Sequence, residues 1–305
     1  MTLVGARPQL IKEAVFSKEI AKNSSLQEYL VHTGQHYDTN MSGIFFDVLD
    51  MKKPDINLEI GSGSHGEMTG RIMIALEPIV KKERPDIIVV YGDTNSTVAA
   101  ALVGSKLHIP IAHIEAGLRQ FPKDMPEELN RVVTDHLSTL LLCPSALSIE
   151  NLKNEGILSG VHNTGDIMYD LFVQMENHFN YSLLEELNLV ENDYVVTTLH
   201  RDFTVDNPDL LEQALKQLYL ISQQMRVVLP LHPRTKNRIH SFGLEELLTP
   251  LTIIEPIDYL HLMGLISRSH SVVTDSGGLQ KEAYFAHKRA VVVMEDTSWR
   301  ELVLN

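Results

Sequence analysis

The sequence predicts an α/β protein built from doubly wound parallel sheets, and three observations support this. Short apolar runs rich in Val and Ile recur along the chain, and amphipathic stretches of helical length separate them. A continuous apolar run is typical of a parallel strand that is buried on both faces. The length of 305 residues is enough for two domains of about 150 residues, each with its own core.

The predicted strands follow one another at regular intervals along the chain. Pro110 directly precedes one of them, at a position where a missing N–H does little harm to a strand. In order, the predicted strands are Thr2–Val4, Tyr29–His32, Ile87–Tyr91, Ile111–His113, Thr139–Cys143, Tyr194–Leu199, Val227–Leu231, Thr252–Ile254, Ser271–Thr274 and Ala290–Met294.

The clearest helix start lies at Pro126, which is followed by two glutamates. Proline is favoured at the first helical position, and carboxylates in the first turn interact well with the helix dipole. We expect this helix to run to about His136.

A domain boundary is predicted where the strand rhythm pauses. A helix is expected over 167–178, polar residues follow it, and strands resume at Tyr194. We therefore expect an N-terminal domain over 1–168 and a C-terminal domain over 169–305. The chain stops soon after the last predicted strand, so we expect the C-terminal domain to be incomplete.

Composition limits the class of protein. The 26 Lys and Arg against 40 Asp and Glu give a formal charge of −14, which repels a polyanion and argues against nucleic-acid binding. No apolar run approaches the roughly 20 residues needed to span a membrane, and no export signal is visible. The single cysteine, Cys143, excludes an internal disulfide and a site of several thiolates. We expect a cytoplasmic protein.

Polar and glycine residues gather directly after the predicted strands. Ligands of open parallel sheets bind beyond the carboxyl ends of the strands. Any one of these segments could be an ordinary turn or cap, but seven strands end in this way. Because strands of both halves do so, we expect the site to lie in a cleft between two domains. The segments are 5–12, 33–38, 92–95, 115–119, 200–201, 232–234 and 275–278.

The turn Asp275-Ser276-Gly277-Gly278 joins a predicted strand to a helix. Its small residues leave backbone N–H groups free at the positive end of the helix dipole, which suits a diphosphate. Glu282, one turn into the helix, could accept two hydrogen bonds from a ribose diol. The alternative is an ordinary turn with a serine cap.

The loop Gly61-Ser62-Gly63-Ser64-His65-Gly66 matches the dinucleotide fingerprint G-x-G-x-x-G. The run before it, Ile56–Ile60, alternates and looks half exposed, whereas the fingerprint follows a fully buried strand. We therefore expect a connecting or substrate-touching loop and no NAD. His65 is expected to be a loop histidine, and because metal-binding spacings such as H-E-x-x-H are absent from the sequence, we expect no metal.

Six motifs follow one another along nearly the whole chain: Gly5–Lys12, His32–Tyr37, Gly92–Thr97, His113–Arg119, Met125–Arg131 and Thr274–Glu282. Together they resemble the non-hydrolysing UDP-N-acetylglucosamine 2-epimerase family. The resemblance implies two Rossmann-like domains of glycosyltransferase B type that face each other across a cleft. It also implies epimerisation at C2 of a UDP-linked 2-acetamido sugar. Segments 5–9 and 229–235 and the end containing Trp299 look closest to the branch that acts on UDP-2,3-diacetamido-2,3-dideoxy-glucuronate.

The chemistry explains the residue types. No carbonyl activates the C2 hydrogen of a pyranose, so inversion needs either oxidation at C3 by NAD or departure of the anomeric group. Without a convincing dinucleotide site we prefer elimination of UDP to a 2-acetamidoglucal, followed by re-addition of UDP and protonation on the other face. Proton removal and proton return on opposite faces of the sugar ring require more than one acid/base group.

The resemblance also implies site residues. Alternatives remain: Glu127 could serve only to complement the helix dipole, and Lys12 could be an exposed helix residue. Which carboxylate acts on which face stays open. The implied acid/base residues are Asp93, Glu115, Glu127 and His200, and the implied nucleotide or phosphate contacts are Arg7, Lys12, Arg131, His232, Ser276, Gly277, Gly278 and Glu282.

The chain departs from the family pattern after Met294, where segment 295–300 stands in place of an Arg-Asp-Thr-Thr-Glu-Arg-like stretch. A nucleotide contact by Arg300 is therefore left open. Two alternatives to the epimerase are a glycosyltransferase of the same architecture, which would not exchange the C2 hydrogen, and a non-catalytic sugar-nucleotide binding protein. The intact acid/base set disfavours the second. We expect a homodimer that binds a UDP-sugar substrate, with no cofactor and no nucleic-acid or membrane partner.

Overall fold

The computed structural model describes residues 1–34, 52–120, 125–294 and 296–304. The chain divides into two compact units, Met1–Leu171 and Phe172–Asn305. The predicted motif residues 35–38 lie outside the described ranges. Within those ranges, no helix combines the length and the apolar character that crossing a membrane requires.

Within the described ranges, the first unit contains seven strands and six helices. Its strands are β1 Thr2–Val4, β2 Leu30–His32, β3 Ile56–Asn57, β4 Ile88–Tyr91, β5 Ile111–Ile114, β6 Leu140–Cys143 and β7 Val161–Asn163. Its helices are α1 Arg7–Ala21, α2 His65–Glu83, α3 Asn95–Lys106, α4 Pro126–Leu137, α5 Ala146–Asn154 and α6 Ile167–Met175, the last of which runs across the division.

The second unit contains five strands. They are β8 Tyr194–Thr198, β9 Arg226–Pro230, β10 Thr252–Ile254, β11 Ser271–Thr274 and β12 Arg289–Val292. Its described helices are α7 Ser182–Glu186, α8 Asp202–Val205, α9 Pro208–Ser222, α10 Pro233–Phe242, α11 Tyr259–Arg268, α12 Gly277–Phe285 and α13 Arg300–Leu304, with short 3₁₀ turns at Glu176–His178 and Glu245–Leu248.

Both sheets are parallel and share one topology. The first has the order β3-β2-β1-β4-β5-β6-β7 and the second β10-β9-β8-β11-β12. In each, the chain first builds outward from its first strand and then returns to build on the other side. The strand order therefore reverses between β1 and β4 and again between β8 and β11, where Rossmann-like folds bind their ligands. The predicted fold class of two Rossmann-like domains is confirmed.

The hydrophobic cores of the two units explain why the central strands could be predicted from the sequence. Leu3 and Val90 on β1 and β4 are buried among the helices of the first unit. Val195 and Val227 pack with Leu215 of α9 in the second. The ten predicted strands are present within about two residues at each end, as is usual for element boundaries. The predicted helix from Pro126 is α4.

Two strands lie outside the predicted list. β3 and β7 are the edge strands of the first sheet, and each is partly exposed and only two or three residues long. A short half-exposed strand lacks the continuous apolar run that marks a buried one. The loop 61–64 follows the edge strand β3 rather than a central strand, and α2 begins at His65. Its place in the sheet therefore differs from that of the dinucleotide fingerprint.

Candidate active site

At the switch point of the first unit, Gln9 connects the ends of β1 and β4. Its side-chain oxygen accepts hydrogen bonds from the backbone N–H groups of Gly5 and Ala6, at 2.8 and 3.2 Å. Its amide nitrogen donates to the carbonyl oxygen of Tyr91 at 2.7 Å and to the Thr97 hydroxyl at 2.9 Å. Together with the Thr94 hydroxyl at 3.0 Å, five partners fix this buried amide, so the two strand ends have one relative position.

Gly5 is required by close approach rather than by backbone conformation. A Cβ at this residue would lie 2.1 Å from Ser96 Oγ and 2.3 Å from Thr33 Oγ1, and those two hydroxyls are themselves hydrogen bonded at 2.8 Å. Any side chain would therefore push apart β1, β2 and α3. Arg7, a predicted phosphate contact, begins α1 two residues later.

Asp93 lies in the turn between β4 and α3, where Arg131 of α4 holds it in place. The Arg131 guanidinium pairs with the Asp93 carboxylate and, through its other terminal nitrogen, with Glu128. Asn130 Nδ2 donates to the Asp93 carbonyl oxygen at 2.9 Å. Burial by itself lowers the pKa of Arg131, but the two carboxylates raise it above its usual value. Arg131 is thus a fixed cation beside a predicted acid/base residue.

Helix α4 buries charged side chains and exposes apolar ones. Glu128, Arg131 and Asp135 are buried, whereas Leu129 and Val133 are 56% and 39% exposed. These buried positions recur at helical spacing, so one face of α4 carries the charges of the site. Glu128 was not among the predicted site residues, although its spacing from Arg131 is a usable signal.

Glu127 lies beside Glu128 but on the exposed face of α4. It makes no hydrogen bond or ion pair with the part of the chain that the structure describes. Its role in acid/base chemistry therefore remains a prediction, and so does the alternative that it only complements the helix dipole.

Glu115 follows β5 in a left-handed conformation, with φ of 68°. Side chains other than glycine adopt this region at a cost, and such residues cluster at functional sites. The conformation directs the carboxylate toward β4: Glu115 Oε2 would lie 3.3 Å from a Cβ placed on Gly92, the neighbour of Asp93. Lys12 of α1 forms an ion pair with Glu115, and both side chains are buried. The alternative that Lys12 is an exposed helix residue is therefore wrong.

A buried charge network supports the turn that carries Asp93. His113 Nε2 lies 2.8 Å from the Gly92 carbonyl oxygen, and His113 Nδ1 lies 2.7 Å from Asp135. Both neighbours are acceptors, so the ring donates to both only when it is protonated. Burial raises the pKa of Asp135, but His113 and Arg119 outweigh burial and hold it below its usual value. These supporting residues of the first unit were not predicted.

In the second unit, His200 and Asp275 follow β8 and β11 at the other switch point. The fully buried Asp275 accepts hydrogen bonds from the backbone N–H groups of His200 and Arg201, both at 2.9 Å. Burial lowers the pKa of His200, Asp275 opposes this effect, and Arg201 and His232 add to it. The ring is therefore mostly neutral near pH 7 and can accept a proton.

The turn before α12 has room for a ligand. Ser276 caps the helix by accepting a hydrogen bond from the Leu279 N–H at 3.4 Å. A Cβ on Gly277 or Gly278 would meet nothing closer than 3.7 Å, so packing within the protein does not demand glycine at either position. Small residues that are not needed for packing are suited to close approach of a ligand to the backbone.

Glu282, one turn along α12, is buried, and its carboxylate interacts electrostatically with the hydroxyl of Tyr259 of α11. Burial, together with this carboxylate, raises the pKa of Tyr259. His232 begins α10, where its Nδ1 accepts the Arg234 N–H at 3.2 Å and its side chain is exposed. Glu282 is thus held in place within the unit, while His232 faces solvent.

Two further predictions concern the loop at 61–66 and the end of the chain. His65 Nδ1 lies 3.3 Å from the Asn95 side chain, and within the described ranges no three His, Cys, Asp or Glu side chains are grouped to hold a metal. Arg300 pairs with Asp296 at 3.0 Å. The ammonium of Lys281 lies 3.7 Å above the ring of Trp299, a contact that sequence analysis did not predict.

The sequence profile of the UDP-N-acetylglucosamine 2-epimerase family matches residues 18–305. The chain is 46% identical to the UDP-2,3-diacetamido-2,3-dideoxy-D-glucuronate 2-epimerase of Pseudomonas aeruginosa, over 99% of this chain and 85% of that protein. It is also 46% identical to a UDP-N-acetylglucosamine 2-epimerase homolog of Methanococcus maripaludis, over 100% of this chain and 86% of that protein.

One similar solved structure is the UDP-GlcNAc 2-epimerase of Methanocaldococcus jannaschii in complex with UDP-GlcNAc and UDP. The match covers 99% of this chain and 86% of that chain, with 38% identity and a TM-score of 0.88.

Proposed function

The chain belongs to the UDP-N-acetylglucosamine 2-epimerase family of isomerases, and we propose that it inverts C2 of a UDP-linked 2-acetamido sugar by eliminating and re-adding UDP. A base removes the proton from C2 while the C1–O bond breaks and UDP leaves with the bonding electrons. The 2-acetamidoglucal that results takes UDP back at C1 and a proton at C2 on the opposite face. Atoms and charge balance without an oxidant.

One observation carries the proposal: two carboxylates lie at the ends of the adjacent strands β4 and β5. Asp93 and Glu115 are held there by different cations, Arg131 and Lys12. Each carboxylate therefore has a counter-charge of its own. Removal and return of a proton on two faces needs at least two such groups.

The second unit supports the nucleotide half of the reaction. The open glycines at the start of α12 leave N–H groups for a diphosphate, and the buried Glu282 lies one turn further on. We assign Arg7, Lys12, Arg131, His232, Ser276, Gly277, Gly278 and Glu282 to nucleotide or phosphate contacts, and Asp93, Glu115, Glu127 and His200 to proton transfer.

The mechanism predicts that deuterium enters C2 during turnover in D₂O without added NAD. The proton removed from C2 exchanges with solvent before the intermediate is protonated again, so both epimers become labelled. Proton NMR follows the loss of the C2 signal. Formation of an epimer that fully retains its C2 hydrogen would contradict elimination and favour oxidation at C3.

The same experiment decides the sugar. The two relatives that are 46% identical carry names with different substrates, and we propose that this chain accepts either UDP-N-acetylglucosamine or its 2,3-diacetamido-glucuronate analogue. Parallel reactions with the two UDP sugars will show which one undergoes exchange at C2. Exchange with neither sugar would exclude both.

Replacing Glu282 by alanine is expected to weaken UDP binding by about 1.5–3 kcal/mol if the carboxylate accepts hydrogen bonds from the ribose. Isothermal titration calorimetry with UDP measures the change. Glu191→Ala is the matched control, because Glu191 is an exposed carboxylate that precedes β8 and pairs with Arg268. Equal affinity in the two variants would remove the ribose assignment.

We also propose that the protein is a homodimer. Leu129 and Val133 lie one helical turn apart and leave an apolar stripe on the surface of α4, which a second copy could cover. Sedimentation equilibrium that returned the monomer mass of 34.3 kDa would contradict this.

A further inference from the structure

Asp275 is a buried carboxylate that was not among the predicted site residues. Its side chain is fully buried at the end of β11, and its oxygens accept the backbone N–H of His200 at 2.9 and 3.2 Å and that of Arg201 at 2.9 Å. Its Oδ1 also lies 3.4 Å from His200 Nδ1. Two backbone donors of the β8 turn therefore converge on one side chain of the β11 turn, and the His200 ring lies beside it.

We propose that Asp275 is a positioning residue that fixes both the backbone and the imidazole of His200, and that it links them to the Ser276–Gly278 turn. This role rests on the proposed function of His200 in proton transfer. Asp275 directly precedes Ser276, so the residue that positions the histidine is the neighbour of the proposed diphosphate turn. The contact spans the switch point of the second sheet, as Gln9 does in the first.

The charge of Asp275 determines which nitrogen of His200 carries the proton. A carboxylate beside Nδ1 favours the tautomer with hydrogen on Nδ1, which leaves the lone pair on Nε2 to accept a proton. When the ring becomes cationic, the same carboxylate stabilises it. The other charged or titratable groups that act on His200 are Arg201 and His232, and both oppose protonation of the ring. Asp275 is thus the anion that opposes the lowering of the His200 pKa by burial and by these two groups.

The backbone contacts explain why a carboxylate is needed rather than an amide. Asn at 275 would keep one acceptor oxygen, but its NH₂ group cannot accept the hydrogen bonds that the second oxygen now receives. A second contact orders the same segment: Thr235 Oγ1 donates to the carbonyl oxygen of Leu199 at 2.7 Å. That hydrogen bond should hold the backbone of the β8 turn in place in the Asp275→Asn variant. We therefore expect the variant to fold, but with a disordered His200 imidazole.

The test uses the full-length protein and a double-mutant cycle. We expect Asp275→Asn to lower kcat by about 100-fold, the lower range of general acid–base contributions. In a His200→Asn background the same change should alter kcat by no more than about twofold, because a residue that acts through His200 has no effect once the imidazole is gone. UDP affinity should change far less than kcat. Leu215→Ala, a core change in α9, is the control for loss of stability.

Nuclear magnetic resonance of the ligand-free protein provides a readout that does not depend on turnover. The ¹⁵N shifts of His200, assigned by comparison with His200→Asn, are expected to show the Nδ1–H tautomer in the wild type and a titration that moves to lower pH in Asp275→Asn. If no UDP sugar is turned over, the proposed function fails but the NMR test still decides the role of Asp275. An Nε2–H tautomer in the wild type, or equal kcat losses from Asp275→Asn with and without His200, would overturn the proposal.

Discussion

Replacing Arg131 by methionine is expected to destabilise the protein by about 3–5 kcal/mol, because it removes one partner of a buried ion pair and leaves the other charged. Methionine keeps most of the apolar volume, so the loss reflects charge. Glu128 is buried beside Arg131 and also accepts the Gln120 N–H at 2.9 Å. The cost of leaving this carboxylate without the guanidinium is the main contribution. Denaturation by urea, followed by circular dichroism, measures the change.

Two further variants separate charge from other effects. Arg71→Met removes an exposed pair with Glu67 at 3.5 Å in the same unit, and should cost at most about 0.5 kcal/mol. Arg131→Met combined with Glu128→Leu removes both buried charges and should recover most of the lost stability. If Arg131→Met proves as stable as Arg71→Met, the buried pair does not hold α4 in place.

Replacing Glu115 by glutamine is expected to lower kcat by roughly 10²–10⁴-fold, the range measured when general acid–base groups are removed. Glutamine has the same shape and tolerates the left-handed backbone no worse than glutamate does. The change also leaves the buried ammonium of Lys12 without its counter-charge, so stability should fall by about 1–3 kcal/mol. Steady-state kinetics and thermal unfolding measure the two effects.

A double variant distinguishes loss of chemistry from loss of stability. Lys12→Met together with Glu115→Gln removes both buried charges, so stability should return while kcat stays low. Recovery of activity along with stability would show that Glu115 acts only through the fold. A single variant Glu115→Gln that kept more than about a tenth of wild-type kcat would exclude it from proton transfer.

Helix α4 shows how much of the site could be predicted from the sequence. Its start was readable because Pro126 and the two glutamates are local signals. Its buried face was not, since that face is polar and the exposed face carries Leu129 and Val133. The usual rule that apolar residues mark the buried stripe therefore gives the wrong orientation here. Only the position of Asp93, 38 residues before Arg131 in the chain, shows why charges are buried.

Asp275 shows the same limit in the second unit. In the sequence it is the first polar residue of a strand-to-helix turn, a position that turn chemistry alone can explain. Its partners, His200 and Arg201, lie about 75 residues earlier, and they meet it because β8 and β11 are adjacent in the sheet. Likewise, nothing local predicts that Glu115 adopts φ of 68° or that Lys12 reaches it across the β1–β4 switch point.

The sequence by itself determined the strands, the α/β class and the family, because buried parallel strands read as continuous apolar runs and the motifs lie at their ends. Tertiary structure decided the strand order, the edge strands β3 and β7, and the pairing of Asp93 and Glu115 with cations and of His200 with a carboxylate. The physical reason is one of range. Strand and helix signals depend on neighbouring residues, whereas a buried charge is stable only beside a partner that the folded chain brings from elsewhere.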